Sequence, residues 1–246
     1  MKHYVRGKVV IVTGASSGFG AATAKMLHEM GAQTVLVGRH KKTLDAVGKT
    51  LKEGNWLAVP ADCTRTEGWN KIVAATLRAF RKIDVLVNCH GGGVQIDDVE
   101  KLSDDVFQAV LDLNLTSCMK GARAVIPEMR KNGFGHIVNI SSCCVQYAWA
   151  SWAVYTAAKA GVAGLTRCLQ KEMEPWGGKA TCVFPGAART RFSENAHMEP
   201  NWNDAYPTGE EIARTIVHCV DVPPSCVIDE VSILGVQQVR DVLNPF

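Results

Sequence analysis

Tyr155 and Lys159 stand one helical turn apart in Tyr155-Thr156-Ala157-Ala158-Lys159. Spacing of i, i+4 turns both side chains to the same helix face. A phenol has a reference pKa of about 10 and is a poor base near neutrality, but a neighbouring cation favours its ionised form. A phenol beside an ammonium therefore suits chemistry in which hydride enters or leaves a carbon while a proton moves on the attached oxygen. By itself, the same spacing also describes an ordinary helix face.

A second chemical feature lies near the start of the chain. Thr13-Gly14-Ala15-Ser16-Ser17-Gly18-Phe19-Gly20 follows a β-branched run directly and leads into an Ala-rich helix through Met30. Glycines permit a tight turn and close backbone approach, and the free amides of a helix N-terminus receive a pyrophosphate. Strand, glycine turn and helix at the opening of a βαβ unit predict a dinucleotide site. About 20 residues further on, an acidic side chain would grip the adenosine ribose 2′-hydroxyl of NAD. This chain has Gly38-Arg39 there. With no carboxylate to repel a 2′-phosphate and the fork of Arg39 to hold it, the predicted cofactor is NADP(H), with NAD(H) as the alternative. Lys41 and Lys42 are expected to be solvated residues opening the second helix.

The elements that must position these groups follow from periodicity. Short apolar, β-branched runs at 8–12, 34–37, 56–59, 85–87, 136–140, 180–184 and 227–234 predict seven buried parallel strands. Helical patterns alternate with them. In one, Trp69, Ile72, Val73, Thr76, Leu77 and Phe80 recur at three and four residues and form a single face. Strand-helix alternation with right-handed crossovers predicts an α/β, doubly wound sheet flanked by helices on both faces, a single domain over 1–246. The irregular stretch 189–207, between the sixth strand and a helix around 210–220, is expected to be a substrate lid.

Composition narrows the classes. Hydrophobic residues make 47% and charged residues 21%, as in ordinary globular proteins. The balance of 27 Lys plus Arg against 24 Asp plus Glu, formally +3, gives no general affinity for nucleic acid or an anionic membrane. No apolar run approaches the roughly 18 residues of a spanning helix, and a strand expected soon after Met1 leaves no room for a signal peptide, so a cytoplasmic protein is expected. Nine cysteines, an odd number with Cys143 and Cys144 adjacent, fit neither a disulfide framework nor a metal motif. They are expected to be free thiols, and no metal is expected.

Taken together, the glycine motif Thr13-Gly14-x-x-x-Gly18-x-Gly20, the segment Asn88-Cys89-His90-Gly91, Ser142 at the end of the fifth strand, Tyr155-x-x-x-Lys159 and Pro185-Gly186 resemble the short-chain dehydrogenase/reductase family, in its order and on its elements. The likeness is close over 8–190. It implies a Rossmann fold and interconversion of a small-molecule secondary alcohol and carbonyl, with Tyr155 as acid/base. It further implies that Lys159 bonds the nicotinamide ribose, that Ser142 bonds the substrate oxygen and that Asn114 holds a water relaying protons to Lys159. Ser141 is the alternative serine, expected instead to satisfy backbone. Cofactor contacts carried over are Gly14, Ser16, Ser17, Gly18, Phe19, Gly20, Asp62, Cys63, Asn88 and Gly91, with Pro185, Gly186, Ala188 and Thr190 orienting the carboxamide. Two positions depart from the family's Asn-Asn-Ala-Gly, and His90 is expected to pack or hydrogen-bond locally. Ser17 stands where many NADP-preferring relatives carry a basic residue, so a preference is predicted and not exclusion of NAD.

The resemblance also implies a homodimer or homotetramer, through helices around 114–130 and 152–173, where Ala157, Ala160, Gly161 and Gly164 permit close approach. The substrate wall is expected from the loop after Gly91, the aromatic segment 143–152 and the lid, with Arg189 and Arg191 available to an anionic substrate. Two other function classes share this scaffold: a carbon-carbon double-bond reductase and a cofactor-binding regulator with little turnover. Retention of Ser142, Tyr155 and Lys159 together favours the alcohol/carbonyl enzyme.

Overall fold

A computed structural model describes residues 3–52, 54–198 and 204–243. All seven expected strands form: β1 (Val9–Thr13), β2 (Gln33–Gly38), β3 (Trp56–Pro60), β4 (Val85–Asn88), β5 (His136–Ile140), β6 (Lys179–Pro185) and β7 (Glu230–Ile233). They build one sheet in the order β3-β2-β1-β4-β5-β6-β7, every pair parallel. The order reverses between β1 and β4, and the crevice at such a reversal is where ligands bind in open α/β sheets.

Nine α-helices occur among the described residues: α1 (Gly18–Glu29), α2 (Lys41–Gly48), α3 (Thr66–Phe80), α4 (Asp104–Leu111), α5 (Ser117–Lys131), α6 (Ala153–Met173), α7 (Phe192–Asn195), α8 (Gly209–Val220) and α9 (Val236–Leu243). Alternation along β1 shows why two helical layers are needed. Val10 and Val12 enter one core with Ala24 and Leu27 of α1 and Ile212 and Ile216 of α8. Val9 and Ile11 enter the other with Trp69 and Ile72 of α3, Val125 and Met129 of α5, and Leu169 and Met173 of α6. Each fully buried Val, Leu or Ile contributes about 1.5–3 kcal/mol, which neither sheet face could realise while solvated.

Three expectations change. The two edge strands are not fully buried: β3 is mostly half-buried, and β7 alternates exposed and half-buried residues. β7 is also shorter than the apolar run 227–234, because that run begins on the surface with Val227, 40% exposed. An edge strand has one neighbour and one covered flank, so its limits do not follow hydrophobicity. The third change is in the helix expected around 114–130. It is preceded by α4 and separated from α5 by a π-turn at Asp112–Thr116, with Asn114 at its centre. Such turns carry an extra residue per turn and gather at functional sites.

Segment 189–207 is tied at its ends, where Arg189 N–H donates to Pro207 O (2.8 Å) and Arg189 forms a β-bridge with Thr208. Thr208 then opens α8 with a reciprocal cap: its hydroxyl accepts from Glu211 N–H, and the Glu211 carboxylate accepts from Thr208 N–H. Residues 199–203 of the expected lid lie outside the described residues. Among the described residues, no helix is long and apolar enough to cross a membrane.

Candidate active site

A cleft of about 960 Å³ runs across the carboxyl ends of the central strands, from Arg39 and Asp62 at one end to Tyr155 and Trp152 at the other. Its first half is the glycine loop. Gly14 has φ +65°, and a side chain there would lie 2.9 Å from Cys89 O. Gly20 has no such dihedral, but a Cβ on it would come within 2.3 Å of Gly14 O, so the turn closes only around hydrogen. α1 starts on extended Ser17 with no side-chain cap and no acid in its first turn, leaving its amides and dipole for a ligand. Ser16, Ser17, Gly18, Phe19 and Gly20 all face the cleft. A cradle that side chains would fill, beside an uncapped helix end, fits a dinucleotide's pyrophosphate.

Arg39 lines the cleft and is exposed, whereas Lys41 is paired with Asp45 (2.6 Å) along α2. Asp62 and Cys63 sit at this end as well. Burial raises the Asp62 carboxyl, but hydrogen bonds from the Thr64 amide (2.9 Å) and hydroxyl (2.8 Å), with the charges of Arg39 and Arg65, leave it below its ordinary value. Cys63 is buried, and its carbonyl accepts from Trp69 Nε1 (2.9 Å).

Gly91, Ser142, Tyr155, Lys159, Pro185, Gly186, Ala188 and Thr190 surround the remaining cleft. Tyr155 and Lys159 lie on the inward face of α6, 7% and 4% exposed, and Lys159 Nζ is 5.6 Å from the Tyr155 ring centroid. Nζ donates to Ile140 O (2.9 Å) at the end of β5. Burial, with Cys144 nearby, raises the Tyr155 phenol above its ordinary value, and a hydrogen bond with Ser142 pulls the other way. Burial likewise lowers the Lys159 ammonium. Desolvation is thus the largest influence on the phenol, and the Lys159 ammonium stands 5.6 Å from its ring. Ser141 donates to Lys159 O (2.8 Å), a backbone tie that fixes β5 to α6 and leaves Ser142 as the serine at Tyr155.

Two expected residues stand behind the cleft wall. Asn88 is buried and donates to Asn139 Oδ1 (2.8 Å); Asn139 donates to Thr166 Oγ1 (2.9 Å) on α6. Asn114, fully buried, clasps the loop after β4: Nδ2 donates to Gly92 O and to Val110 O (both 2.9 Å), and Oδ1 accepts from Gly92 N–H (3.1 Å). Its own carbonyl accepts from Cys118 Sγ (3.2 Å). A Cβ on Gly91 would lie 2.9 Å from Asn114 Oδ1 and 3.1 Å from Lys159 Nζ, so these three groups are packed together.

His90 makes local hydrogen bonds, to Thr13 Oγ1 and Ser117 Oγ (2.6 Å each). The imidazole is held between these two hydroxyls, which also reach Leu113 O (Ser117 Oγ, 2.7 Å) and Val87 O (Thr13 Oγ1, 3.3 Å). Burial, helped by the charge of Lys159, pushes the imidazole down to about 3. The histidine thus ties β1 to the π-turn that holds Asn114. Gln238 on α9 was not expected. Its Oε1 accepts from Ala187 N–H (2.8 Å) and its Nε2 lies 3.6 Å from Cys143 Sγ, bracing both the Pro185-Gly186 loop and the neighbour of Ser142. A lone glutamine near the chain end carries no motif, so only the fold reveals it. Half-buried Gly161 makes a close contact within the chain, where a Cβ would meet Leu115 Cδ2 at 2.7 Å.

A parallel sheet reversing at a glycine turn, with Ser142, Tyr155 and Lys159 around one end of the cleft, defines a dinucleotide-type oxidoreductase scaffold. The chain belongs to the short chain dehydrogenase family, whose model matches residues 8–201. It is 30% identical over 235 residues to an uncharacterised oxidoreductase of Staphylococcus haemolyticus, covering 93% of this chain and 97% of that one. Among solved structures, it is similar to a metagenomic short-chain oxidoreductase in complex with NADP (28% identity, TM-score 0.81, 93% of this chain and 97% of that one). It is also similar to a 3-ketoacyl-(acyl-carrier-protein) reductase of Brucella melitensis complexed with NADH (25% identity, TM-score 0.87, 95% and 99% covered).

Proposed function

We propose that this chain interconverts a secondary alcohol and a ketone with a nicotinamide cofactor, preferring NADP(H), and that Tyr155 is the acid/base. The observation that carries the reading is the convergence of Ser142, Tyr155 and Lys159 on one cleft with the uncapped glycine turn. A nicotinamide cofactor held by the glycine turn and the Pro185-Gly186 loop would supply or take up the hydride at carbon. The protein's part is the proton and the geometry. In reduction, the carbonyl oxygen lies between the Ser142 hydroxyl and the Tyr155 phenol; as charge builds on that oxygen the phenol gives it a proton and the serine donates a hydrogen bond. A buried, protonated phenol is the form this direction requires. In the reverse direction, the same phenol must ionise, and the Lys159 ammonium, 5.6 Å from the ring, is the cation placed to stabilise it.

Asn114 holds the Gly92 backbone near Lys159 through one Nδ2 hydrogen and Oδ1, a positioning role beside the proton-relaying water expected there. Asn88 likewise acts through Asn139 and Thr166 on α6. Pro185, Gly186, Ala188 and Thr190 wall the place of the nicotinamide, and Arg39 is the group for a 2′-phosphate. The named relatives hold one NADP and one NADH, so the preference rests on Arg39 and the missing carboxylate beside it. Steady-state kcat/KM with NADPH and with NADH tests it: a ratio above one in favour of NADPH is expected, and an NADH preference overturns it. Association into a homodimer or homotetramer is proposed through α5 and α6, and sedimentation equilibrium reads it directly.

A further inference from the structure

Beyond Tyr155 the cleft is walled by aromatic rings. Trp152 meets Trp149 edge-on (centroids 5.8 Å) and Tyr155 edge-on (5.6 Å), and lies parallel to Phe192 (6.0 Å, planes 4° apart). Phe192 closes the cluster on Tyr155 (5.5 Å, edge-on). All four rings line the cleft, and they come from different segments: the turn before α6, α6 itself and α7. Each is fixed by its neighbours, so the wall is preorganised.

Acidic charge is placed elsewhere among the described lining residues. The carboxylate facing the cleft among its described lining residues is Asp62, at the opposite end and held by Thr64. Among the described lining residues, no carboxylate stands at the Tyr155 end to pair a cationic substrate. Of the two guanidiniums near this end, Arg189 is turned to Asp204 (2.5 Å) and does not line the cleft, while Arg191 lies exposed at its rim. The Lys159 ammonium is directed to Ile140 O.

We propose that the substrate is an uncharged ketone, or its alcohol, carrying a flat ring that packs against the Trp152–Phe192 pair while its oxygen meets Tyr155 and Ser142. This rests on the alcohol/carbonyl reading and adds the substrate class to it. A ring gains offset or edge contacts with these faces beyond simple burial, and has no internal rotors to freeze, whereas an open chain gains burial alone. Two such ring contacts correspond to about tenfold or more in affinity.

The test is calorimetric titration of the protein, saturated with NADP⁺, with acetophenone, 2-octanone and phenylglyoxylate. Acetophenone is expected to bind at least about tenfold more tightly than 2-octanone, which has the same carbon count, and phenylglyoxylate no more tightly than acetophenone. Trp152→Leu and, separately, Phe192→Leu should remove the preference for the ring while NADP⁺ affinity is unchanged; either variant suffices if the other does not fold. Equal or tighter binding of 2-octanone overturns the proposal. So does phenylglyoxylate binding at least tenfold more tightly in a manner lost in Arg191→Gln, which would make the site one for an anion. Turnover with NADPH separates this from the underlying reading: Trp152-dependent ring binding without carbonyl reduction leaves the ring site and refutes the chemistry, and equal kcat/KM for both ketones does the reverse.

Discussion

Acidification should destabilise the fold through His90, and His90→Gln should remove that share. The imidazole is buried between Thr13 and Ser117, and burial, with Lys159 nearby, pushes it from 6.5 to about 3. A folded-state value below the unfolded one means that the unfolded chain takes up the proton first. The stability that the neutral imidazole carries is therefore complete above pH 6.5 and is lost as pH falls through the window from 6.5 to about 3. At about 1.4 kcal/mol per pH unit, moving from pH 7.5 to 5.0 traverses 1.5 units of that window and removes about 2 kcal/mol. Urea unfolding of the parent and His90→Gln at both pH values measures it as a difference of differences, in which every other titrating group cancels. The variant should be the less stable protein at pH 7.5, having lost a well-formed bridge between β1 and the π-turn. On going to pH 5.0, however, it should lose about 2 kcal/mol less than the parent. Equal losses would show that His90 titrates near its ordinary value in the folded protein and would refute the buried, neutral bridge.

Three further outcomes follow from the same geometry. His136, buried with its Nε2 on Thr181 Oγ1 (2.8 Å) and pushed down to about 3 by burial and Lys179, should add a second acid-sensitive increment of similar size, read by the same urea titrations of His136→Gln. Arg39→Ala should raise KM for NADPH about tenfold and leave that for NADH nearly unchanged, because it removes one solvent-exposed charge-assisted contact; equal effects on both cofactors would place Arg39 outside the 2′-phosphate site. Gln238→Leu leaves the Ala187 N–H without its acceptor and should lower unfolding free energy by about 1–3 kcal/mol while raising KM for the cofactor; an unchanged KM would confine Gln238 to stability.

Strand-forming residues made the architecture readable because a parallel strand covered on both faces is largely apolar; the 136–140 run, whose polar His136 and Asn139 are hydrogen-bonded, matches β5 in its limits. Where one flank is open, as at β7, the apolar run 227–234 overshoots the ordered strand Glu230–Ile233. The candidate site was legible where one residue type is needed at one place: glycines where a Cβ would strike Gly14 O or Cys89 O, and a phenol one turn from an ammonium. What escaped depends on contacts between distant segments. The π-turn at Asp112–Thr116 adds a residue to a turn without altering which residue types appear in it. His90 finds its partners on β1 and α5, and Gln238 reaches Ala187 and Cys143 from α9. Spacing places Lys159 near Tyr155, whereas the burial that raises the phenol comes from packing.

The central claim is that the Tyr155 hydroxyl transfers the proton. Tyr155→Phe removes that hydroxyl and keeps the ring that packs on Trp152 and Phe192. Ketone-dependent NADPH oxidation by this variant, measured beside NADPH binding by fluorescence, tests it most directly. Turnover should fall about 100-fold to 10,000-fold with NADPH affinity nearly unchanged; near-normal turnover would contradict the mechanism.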